Sequence, residues 1–175
     1  MNLLLVEPTI EEYNYEQKLL SDPETMNYNA GYEVTYQGYH YNTGCIDFPE
    51  ENWEAKKKKR EQKNCFFAYL KDLDLNQYVG YVDYNYNVED QRYECGIVIE
   101  ACHRGKGYAK KGLELLKEYA FSHGIEALYD GFETNRGHTL SLFQSCGFEI
   151  VQKDTWKKFG KNQDGVLVCC KKDKQ

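Results

Sequence analysis

The sequence has no long hydrophobic run, no paired-cysteine motif and no excess of basic residues. Hydrophobic residues form 41% of the 175 positions, yet no apolar stretch approaches the roughly 20 residues that a membrane-spanning helix needs. The segment Met1–Glu7 lacks the basic start of a secretory signal, and Pro8 follows it too early. These absences predict a cytoplasmic protein that does not insert into a membrane.

Seven cysteines are present, but their number is odd and none is arranged as Cys-x-x-Cys. In a protein without a secretory signal we expect such residues to remain reduced thiols and to serve mostly as small core residues. Cys102-His103 and Cys169-Cys170 are directly adjacent pairs, which lack the usual spacing of zinc ligands. The sequence therefore predicts neither a disulfide framework nor a metal site.

The formal net charge is −6, so the chain lacks the basic surface that general nucleic-acid binding prefers. An acidic protein is compatible with a cationic amine as its ligand. The local exception is the basic run Lys56–Arg60, which we interpret as the solvated face of a helix rather than a binding patch.

Hydrophobic periodicity predicts a single α/β domain over residues 1–175. Three central strands are separated by short turns, which indicates an antiparallel meander. The helix from Gly107 to His123 carries apolar residues at i, i+3, i+4 and i+7. The predicted strands are 3–7, 65–71, 77–86, 92–100, 126–133, 148–155 and 165–172, and the predicted helices are 9–20, 49–63, 107–123 and 137–145.

Residues 22–50 are rich in tyrosine, asparagine and glycine without a clear period, so we predict a partly irregular segment. Its tyrosines have two interpretations. They are packed loop residues that supply buried area, which we favour, or they line a substrate pocket. The tyrosines concerned are Tyr28, Tyr32, Tyr36, Tyr39 and Tyr41.

An apolar strand, a glycine-rich turn and an amphipathic helix follow one another directly between Ile97 and Ser122. Unpaired N–H groups at a helix start carry the positive end of the helix dipole, and glycines let an anion approach the backbone. The turn is not a P-loop, because Gly107 occupies the Ser/Thr position after Gly-Lys. It is not a dinucleotide fingerprint either, because Lys110 occupies the last glycine position. The pattern favours another cofactor that carries a diphosphate.

Two blocks carry a resemblance to the GNAT N-acetyltransferase superfamily. Arg104, Gly107 and Ala109 meet the pattern Arg/Gln-x-x-Gly-x-Gly/Ala, and residues 128–148 read as a strand ending in Asn135, a short helix and a closing Gly-Phe. The resemblance implies a mixed, mostly antiparallel sheet of about seven strands flanked by about four helices. It also implies direct transfer of an acetyl group from acetyl-CoA to a primary amine in a ternary complex, and a homodimer as a common assembly.

A weaker resemblance concerns one branch of that superfamily. Glu94–Ile97 and Tyr119–Phe121 are similar to the branch that acetylates ribosomal-protein N-termini. The acceptor amine is therefore either a small molecule or the N-terminus of a peptide or protein. We expect its specificity to depend on residues 22–50 and on the last strands.

The resemblance assigns the cofactor to the fourth strand, the glycine-rich turn and the block after the fifth strand. In this superfamily the fourth strand splays from the fifth, which frees backbone groups to pair with the pantetheine arm. Asn135 matches the residue that contacts the same arm. The residues so assigned are Ile97, Val98, Ile99, Arg104, Gly105, Lys106, Gly107, Tyr108, Ala109, Asn135 and Phe143.

Three carboxylates are candidates for the general base, because an alkylammonium must lose a proton before it can attack a thioester. Glu94 ranks first, since strand alternation places it on the face of Gly96 and Val98. Asp130 in the following strand and Asp83 in the preceding strand are the alternatives. Each also has a simpler interpretation as a solvent-facing or hydrogen-bonded strand residue. A base that acts through a water molecule, or no base beyond the bulk buffer, is the remaining alternative.

Phe143 departs from the pattern of the resemblance. It stands four residues before the glycine of Gly-Phe, where many members carry a tyrosine that protonates the leaving thiol. A phenylalanine has no proton to give, so another group acts, the thiolate leaves unassisted, or catalysis is impaired. The last case favours an alternative function, a non-catalytic acyl-CoA-binding or sensor module on the same fold.

Overall fold

A computed structural model describes residues 1–173, which form seven strands in one sheet and five α-helices. The strands are β1 (Leu3–Val6), β2 (Cys65–Asp72), β3 (Gln77–Asn87), β4 (Arg92–Ile99), β5 (Ala127–Glu133), β6 (Glu149–Lys158) and β7 (Lys161–Lys171). The helices are α1 (Tyr13–Ser21), α2 (Pro23–Met26), α3 (Trp53–Arg60), α4 (Tyr108–Ser122) and α5 (Thr139–Ser145). The predicted α/β class with its seven-stranded, mostly antiparallel sheet is confirmed.

Helix α2 lies in the segment predicted to be partly irregular. Asp22 caps it, because its carboxylate accepts hydrogen bonds from the N–H groups of Glu24 and Thr25. Pro23 occupies the first helical position, where its missing N–H costs nothing. The predicted domain runs to residue 175, and residues 174–175 lie outside the described residues.

The strand order is β1-β2-β3-β4-β5-β7-β6. Strands β2 to β4 form the antiparallel meander that the short turns predict, and β1 pairs antiparallel with β2. Strands β4 and β5 run parallel, and their register joins only Tyr93 with Leu128 and Glu94 with Tyr129. Beyond Glu94 the two strands diverge into a wedge. Along residues 95–99, the edge of β4 that faces β5 is therefore unpaired within the described part of the sheet.

Helix α4 covers one face of the sheet, as its apolar stripe predicts. Leu113, Leu116 and Ala120 have no exposed surface and belong to the main core. The opposite face carries Tyr81 and Val98, which pack with Leu19 of α1 and other residues in a smaller cluster. Within residues 1–173, no helix combines the length and the apolar character that a membrane crossing demands. The wedge lies between β4 and β5, within the sheet that these two layers cover.

The basic run of α3 is only partly the solvated helix face that the sequence predicts. Lys58 and Lys59 are exposed, but Arg60 turns inward and donates two hydrogen bonds to the buried carboxylate of Glu16, at 2.8 and 2.7 Å. Its guanidinium also lies 3.5 Å from the centre of the Phe67 ring. The bidentate pair joins α3 to α1, so the end of the run has a structural role.

The tyrosines of residues 22–50 divide into two groups. The Tyr39 hydroxyl donates to the carbonyl of Asn29 at 2.6 Å and accepts from the N–H of Tyr32 at 3.1 Å. The rings of Tyr36 and Tyr39 contact each other, and Tyr41 contacts Phe159. These three tyrosines stabilise the segment itself, whereas Tyr28 and Tyr32 face a cavity described below.

Candidate active site

The glycine-rich turn has the backbone conformation that an anion cradle requires. Gly105 and Gly107 have φ angles of +74° and +86°, in the left-handed region that side chains disfavour. Helix α4 begins directly after them, and the N–H of Lys111 is bonded to the carbonyl of Gly107 at 3.3 Å. The N–H groups of the first helical turn precede that bond and have no intrahelical acceptor. The positive end of the α4 dipole therefore faces a turn in which two residues, both glycines, carry no side chain.

The side chains of this turn are engaged by the protein itself. Arg104 donates to the carbonyls of Ile99, Glu24 and Thr25 at 3.3, 3.0 and 2.6 Å. Tyr108 is buried, and its hydroxyl donates to Asp72 at 2.5 Å. The Lys106 ammonium donates to the carbonyl of Cys102 at 3.0 Å. The turn thus presents mainly its backbone to a ligand.

The side chains of Ile97, Val98 and Ile99 pack within the protein, while their backbone lies along the wedge. Val98 and Ile99 are buried, and Ile97 packs against the main core. Divergence from β5 leaves the backbone groups that point to that edge, those of Ile97 and the N–H of Ile99, available to an extended ligand arm, whereas Val98 pairs with Tyr81 of β3. The strand offers the kind of edge that binds an added strand.

Asn135 and Phe143 occupy contrasting places. Asn135 is exposed just after β5, and its amide donates to the Gln163 side chain at 2.9 Å. It does not cap α5, because His138 holds that position. Phe143 is only 2% exposed and packs between Phe132 and Phe148, at centroid distances of 5.1 and 5.0 Å. In this structure Phe143 is a core residue and presents no ring to a cofactor.

Two cavities meet at the wedge. The first, which we call the junction cavity, has a volume of about 300 Å³ and is lined by residues of β3, β4, β5 and the segment after α2. The second, the acidic cavity, has a volume of about 430 Å³ and lies over β4, β5 and β6. They share Asp130, Gly131 and Trp156. The two cavities therefore adjoin each other, with Asp130 at their boundary.

Asp83 and Asp130 have strongly perturbed ionisation. Burial raises the pKa of Asp83 to about 6, an effect that the positive charge of Arg60 partly offsets. Burial also raises the pKa of Asp130 to about 7, with a smaller contribution from the negative charge of Asp83. Gly96 makes room for Asp83, because a β-carbon there would lie 2.5 Å from its Oδ1. The β3–β4 register runs through Gly96 without a shift, so there is no β-bulge at this residue. The glycine instead leaves space for the carboxylate of Asp83.

Glu94, the first-ranked base candidate, is held by neighbouring donors. Its Oε1 accepts hydrogen bonds from the Arg92 side chain at 3.0 Å and from the Asn87 amide at 3.2 Å. The Arg92 guanidinium also forms ion pairs with Glu94 at 2.9 Å and with Asp90 at 3.2 Å. Glu94 lines the acidic cavity but not the junction cavity. The Glu94 carboxylate is therefore held by Arg92 and Asn87 of the protein itself.

The junction cavity also contains groups that the sequence did not single out as site residues. Arg136 lies with its guanidinium 4.8 Å from the ring centre of Tyr28, and burial raises the pKa of Tyr28 to about 12. Trp156 covers Gly165 so closely that a β-carbon there would collide with its ring. A glycine at position 165 is typical of a place where a large side chain lies over the strand, but nothing in the sequence indicated that this side chain is Trp156. Arg136 directly follows Asn135, and it belongs to no sequence motif that would have indicated a role in the site.

Within residues 1–173, one group of side chains has the spacing of metal ligands: Glu100, Cys102 and His103, whose ligand atoms lie within 4.8 Å of one another. The Glu100 carboxylate already accepts bonds from the Lys18 ammonium at 2.5 Å and the Tyr15 hydroxyl at 3.0 Å. A cation would have to compete with this ammonium, so the group does not support a metal site.

Comparisons with known proteins agree with this arrangement. The model of the acetyltransferase (GNAT) family matches residues 28–148. A streptothricin acetyltransferase from Escherichia coli is 26% identical over 114 residues, which cover 65% of this chain and 63% of that relative. The match thus spans less than two thirds of the relative's length.

Solved structures share the fold. A spermidine N-acetyltransferase from Vibrio cholerae, in complex with CoA and spermine, has a TM-score of 0.76 at 18% identity and is matched over 97% of this chain and 95% of its own. An acetyltransferase from Salmonella typhimurium with its cofactor acetyl-CoA has a TM-score of 0.76 at 16% identity, over 100% and 96% of the two chains. Because the family model covers well over half of the sequence, the chain belongs to the GNAT acetyltransferase family.

Proposed function

We propose that this protein transfers the acetyl group of acetyl-CoA to a primary amine of a small molecule, with both substrates bound together. The observation that carries the proposal is the continuity of three features: the backbone cradle before α4, the free edge of β4 in the wedge, and the junction cavity beside it. Acetyl-CoA supplies the thioester. The protein supplies binding, orientation and control of one proton.

The residues suited to the cofactor present mainly backbone groups. The turn from Arg104 to Ala109 places a helix N-terminus and two glycines where a pyrophosphate needs donors. The N–H groups of Ile97 and Ile99, which face the unpaired edge of β4, suit the pantetheine arm and the developing charge on a thioester carbonyl. Asn135 is exposed beside the wedge and suits the same arm. Phe143 is buried, so in this proposal it packs in the core and does not bind the cofactor.

Asp130 suits the role of general base better than Glu94. It stands where the two cavities meet, and its pKa of about 7 lets it accept a proton near neutral pH. Glu94 is committed to Arg92 and Asn87. Asp83 lines the junction cavity and, by its charge, helps to keep the pKa of Asp130 high.

Tyr28 suits the role of proton donor to the leaving thiolate, which Phe143 cannot fill. Its hydroxyl is protonated at neutral pH. Burial raises the pKa of Tyr28 to about 12, which makes it a weaker acid, and the positive charge of Arg136 over the ring offsets part of that rise. Tyr28 also lines the junction cavity. A protonated hydroxyl beside a cation can supply a proton to a leaving thiolate.

The decisive experiment measures release of the CoA thiol from acetyl-CoA with a panel of primary amines, polyamines, aminoglycosides and N-terminal peptides. We expect turnover with at least one small amine, and no release beyond slow hydrolysis when the amine is omitted. If calorimetry shows tight CoA binding while no amine causes thiol release, the sensor alternative replaces the proposal. Turnover only with peptides would replace the small-molecule acceptor by a protein N-terminus.

A further inference from the structure

We infer that Arg104 is a positioning residue that couples the glycine-rich turn to the junction cavity. Its side chain holds α2, and α2 leads directly to Tyr28, so a cofactor that orders the turn also prepares the cavity for the amine. This inference rests on the proposed function and adds a coupling between its two substrate sites. The observations that carry it are the hydrogen bonds between residues 99–104 and α2.

The Arg104 side chain caps the C-terminal end of α2. Its Nη1 and Nη2 atoms donate to the carbonyls of Glu24 and Thr25, at 3.0 and 2.6 Å. The last carbonyls of a helix have no intrahelical donor, and a positive charge at that end interacts favourably with the helix dipole. The two carbonyls lie 80 and 79 positions before Arg104 in the sequence. One side chain therefore joins two distant parts of the chain.

A second contact joins the same two parts. The Thr25 side chain has no exposed surface. Its Oγ1 accepts a hydrogen bond from the N–H of Ala101 at 3.0 Å and donates one to the Asp22 carboxylate at 2.5 Å. Because Asp22 caps the N-terminal end of α2, Thr25 links that cap to the short segment between β4 and the glycine-rich turn.

Helix α2 depends on such contacts because it is short. It has four residues, Pro23–Met26, whereas isolated helices shorter than about 12 residues are marginal in water. Its order is therefore set by the groups that hold its two ends. Asp22 holds one end from within the same segment, and Arg104 holds the other end from the turn.

Helix α2 leads directly into the junction cavity. Tyr28 and Asn29 follow it in the chain and line that cavity. Tyr28 lies three positions after Thr25, whose carbonyl accepts from Arg104, so a displacement of α2 must also displace Tyr28. In the proposed function Tyr28 is the proton donor. The position of α2 therefore sets the geometry of the cavity in which the amine reacts.

Arg104 is also continuous with the proposed cofactor site. Gly105 follows it directly, with a φ angle of +74°, and the Nε of Arg104 donates to the carbonyl of Ile99 at 3.3 Å. This bond engages the Ile99 carbonyl, so the Ile99 N–H is the group that faces the unpaired edge at this end of β4. Arg104 therefore contacts the end of β4, begins the turn and holds α2.

The coupling follows from order and needs no large movement. A ligand that fixes the turn reduces the conformational freedom of Arg104 and of α2, so less freedom remains to be lost when the amine binds. The amine should therefore bind more tightly after the cofactor. Linkage requires the same factor in the opposite direction, so the amine should strengthen cofactor binding equally.

Hydrogen–deuterium exchange with CoA as the only ligand tests the coupling without any amine. In the unaltered protein, CoA should slow exchange several-fold in residues 104–109 and also in residues 24–32. In Arg104→Met, which removes all side-chain donors, the protection of 104–109 should persist and that of 24–32 should be lost. Arg104→Lys keeps a charged donor and should restore part of it. The peptide that covers α3 is the internal reference and should not respond to CoA.

The outcomes separate the inference from the proposed function. Protection of residues 104–109 without protection of 24–32 in the unaltered protein would overturn the inference and leave the proposed function intact. Equal protection of residues 24–32 in the unaltered protein and in Arg104→Met would also overturn it. Lack of protection in both segments would contradict the proposed cofactor site itself.

Binding and kinetics test the same coupling with the amine that gives the fastest thiol release. In the unaltered enzyme, CoA should lower the Kd of this amine about fivefold or more, the usual lower bound for coupled sites. In Arg104→Met this factor should approach one, and KM for the amine should rise by a similar factor. Calorimetry with and without CoA measures the first effect, and thiol release measures the second.

Lys172→Met is the matched control. The Lys172 ammonium donates to the carbonyl of Phe121 at 3.0 Å, in the last turn of α4, so this variant also removes a cation that caps a helix end but lies outside the proposed site. It should keep the fivefold factor and the KM for the amine. An equal loss in both variants would show only a general loss of stability and would overturn the role of Arg104.

Discussion

The part of the site that we propose for the cofactor and the part that we propose for the acceptor, here called the cofactor half and the acceptor half, are built in different ways. The cofactor half consists of β4, the following turn and the start of α4, which are consecutive in the chain and span residues 97–109. The acceptor half combines the segment after α2 with β3, β5 and β6, so its residues range from Tyr28 to Trp156. The first half depends on backbone geometry, and the second depends on side chains.

This difference has a physical basis. A backbone cradle needs a strand end, glycines at positive φ and a helix start, all of which are local and leave a short sequence pattern. An acceptor cavity needs only that certain side chains meet, and the sheet brings them together from separate strands. The cofactor half is therefore recognisable from one sequence, whereas the acceptor half is not.

The largest effect should come from the acceptor half, through the base. Asp130→Asn should lower kcat about 10²- to 10⁴-fold, the usual range for loss of a general base. In the unaltered enzyme, kcat/KM should rise with pH up to about 7, because Asp130 must be deprotonated to accept a proton. The variant should lose this inflection. Both are measured as pH–rate profiles with saturating acetyl-CoA.

Glu94→Gln is the comparison for that variant, since it also removes a carboxylate that lines the acidic cavity. A smaller loss of kcat and a retained inflection near pH 7 would agree with Asp130 as the base. If Glu94→Gln abolishes the inflection instead, the original ranking from the sequence is right and the assignment of Asp130 is wrong.

In the cofactor half, Gly107→Ala should raise KM for acetyl-CoA roughly tenfold or more. The substitution forces a side chain into the left-handed region, at a cost of about 1–2 kcal/mol, and places a methyl group beside the cradle. Gly124→Ala is a matched control, because Gly124 has the same φ of +86° at the other end of α4. The control should lose similar stability and keep its KM. Equal KM values for both variants would contradict the cradle.

Sequence reasoning predicted the fold, and it singled out the turn and the helix start that we propose for the cofactor, but it indicated less of the proposed acceptor half. The antiparallel meander and α4 were predictable because their periodicity is strong and their turns are short. The pKa values of Asp83 and Asp130 were not, because they depend on burial between strands that are distant in sequence. The place of Trp156 in the site emerges only from the β5–β7–β6 register.

A smaller effect should follow from the hydroxyl in the junction cavity. Tyr28→Phe should reduce kcat several-fold, because the leaving thiolate loses a proton donor while the ring that carries Arg136 remains. Tyr36→Phe is the matched control, since Tyr36 is exposed and contacts Tyr39 instead of the cavity. An unchanged kcat for Tyr28→Phe, measured by thiol release, would mean that the thiolate leaves without help from this residue.

The smallest effect should be a shift of the pH profile by Asp83→Asn. The negative charge of Asp83 raises the pKa of Asp130, so its removal should move the inflection of kcat/KM to lower pH, by a fraction of a unit. The control Asp164→Asn removes an exposed charge and should leave the inflection in place. An inflection that moves upward in Asp83→Asn would contradict the coupling between the two carboxylates.

The same variant tests the burial of Asp83 through stability. The pKa of Asp83 in the folded protein is about 6, above the value near 3.9 of an unfolded chain. Its contribution to stability is therefore fully present below about pH 4 and is lost as the pH rises through about 6. Asp83→Asn lacks this ionisation, so its thermal midpoint should change less than that of the unaltered protein between these pH values. Parallel midpoint curves for the two proteins would show that the pKa of Asp83 is not raised by burial in the folded protein.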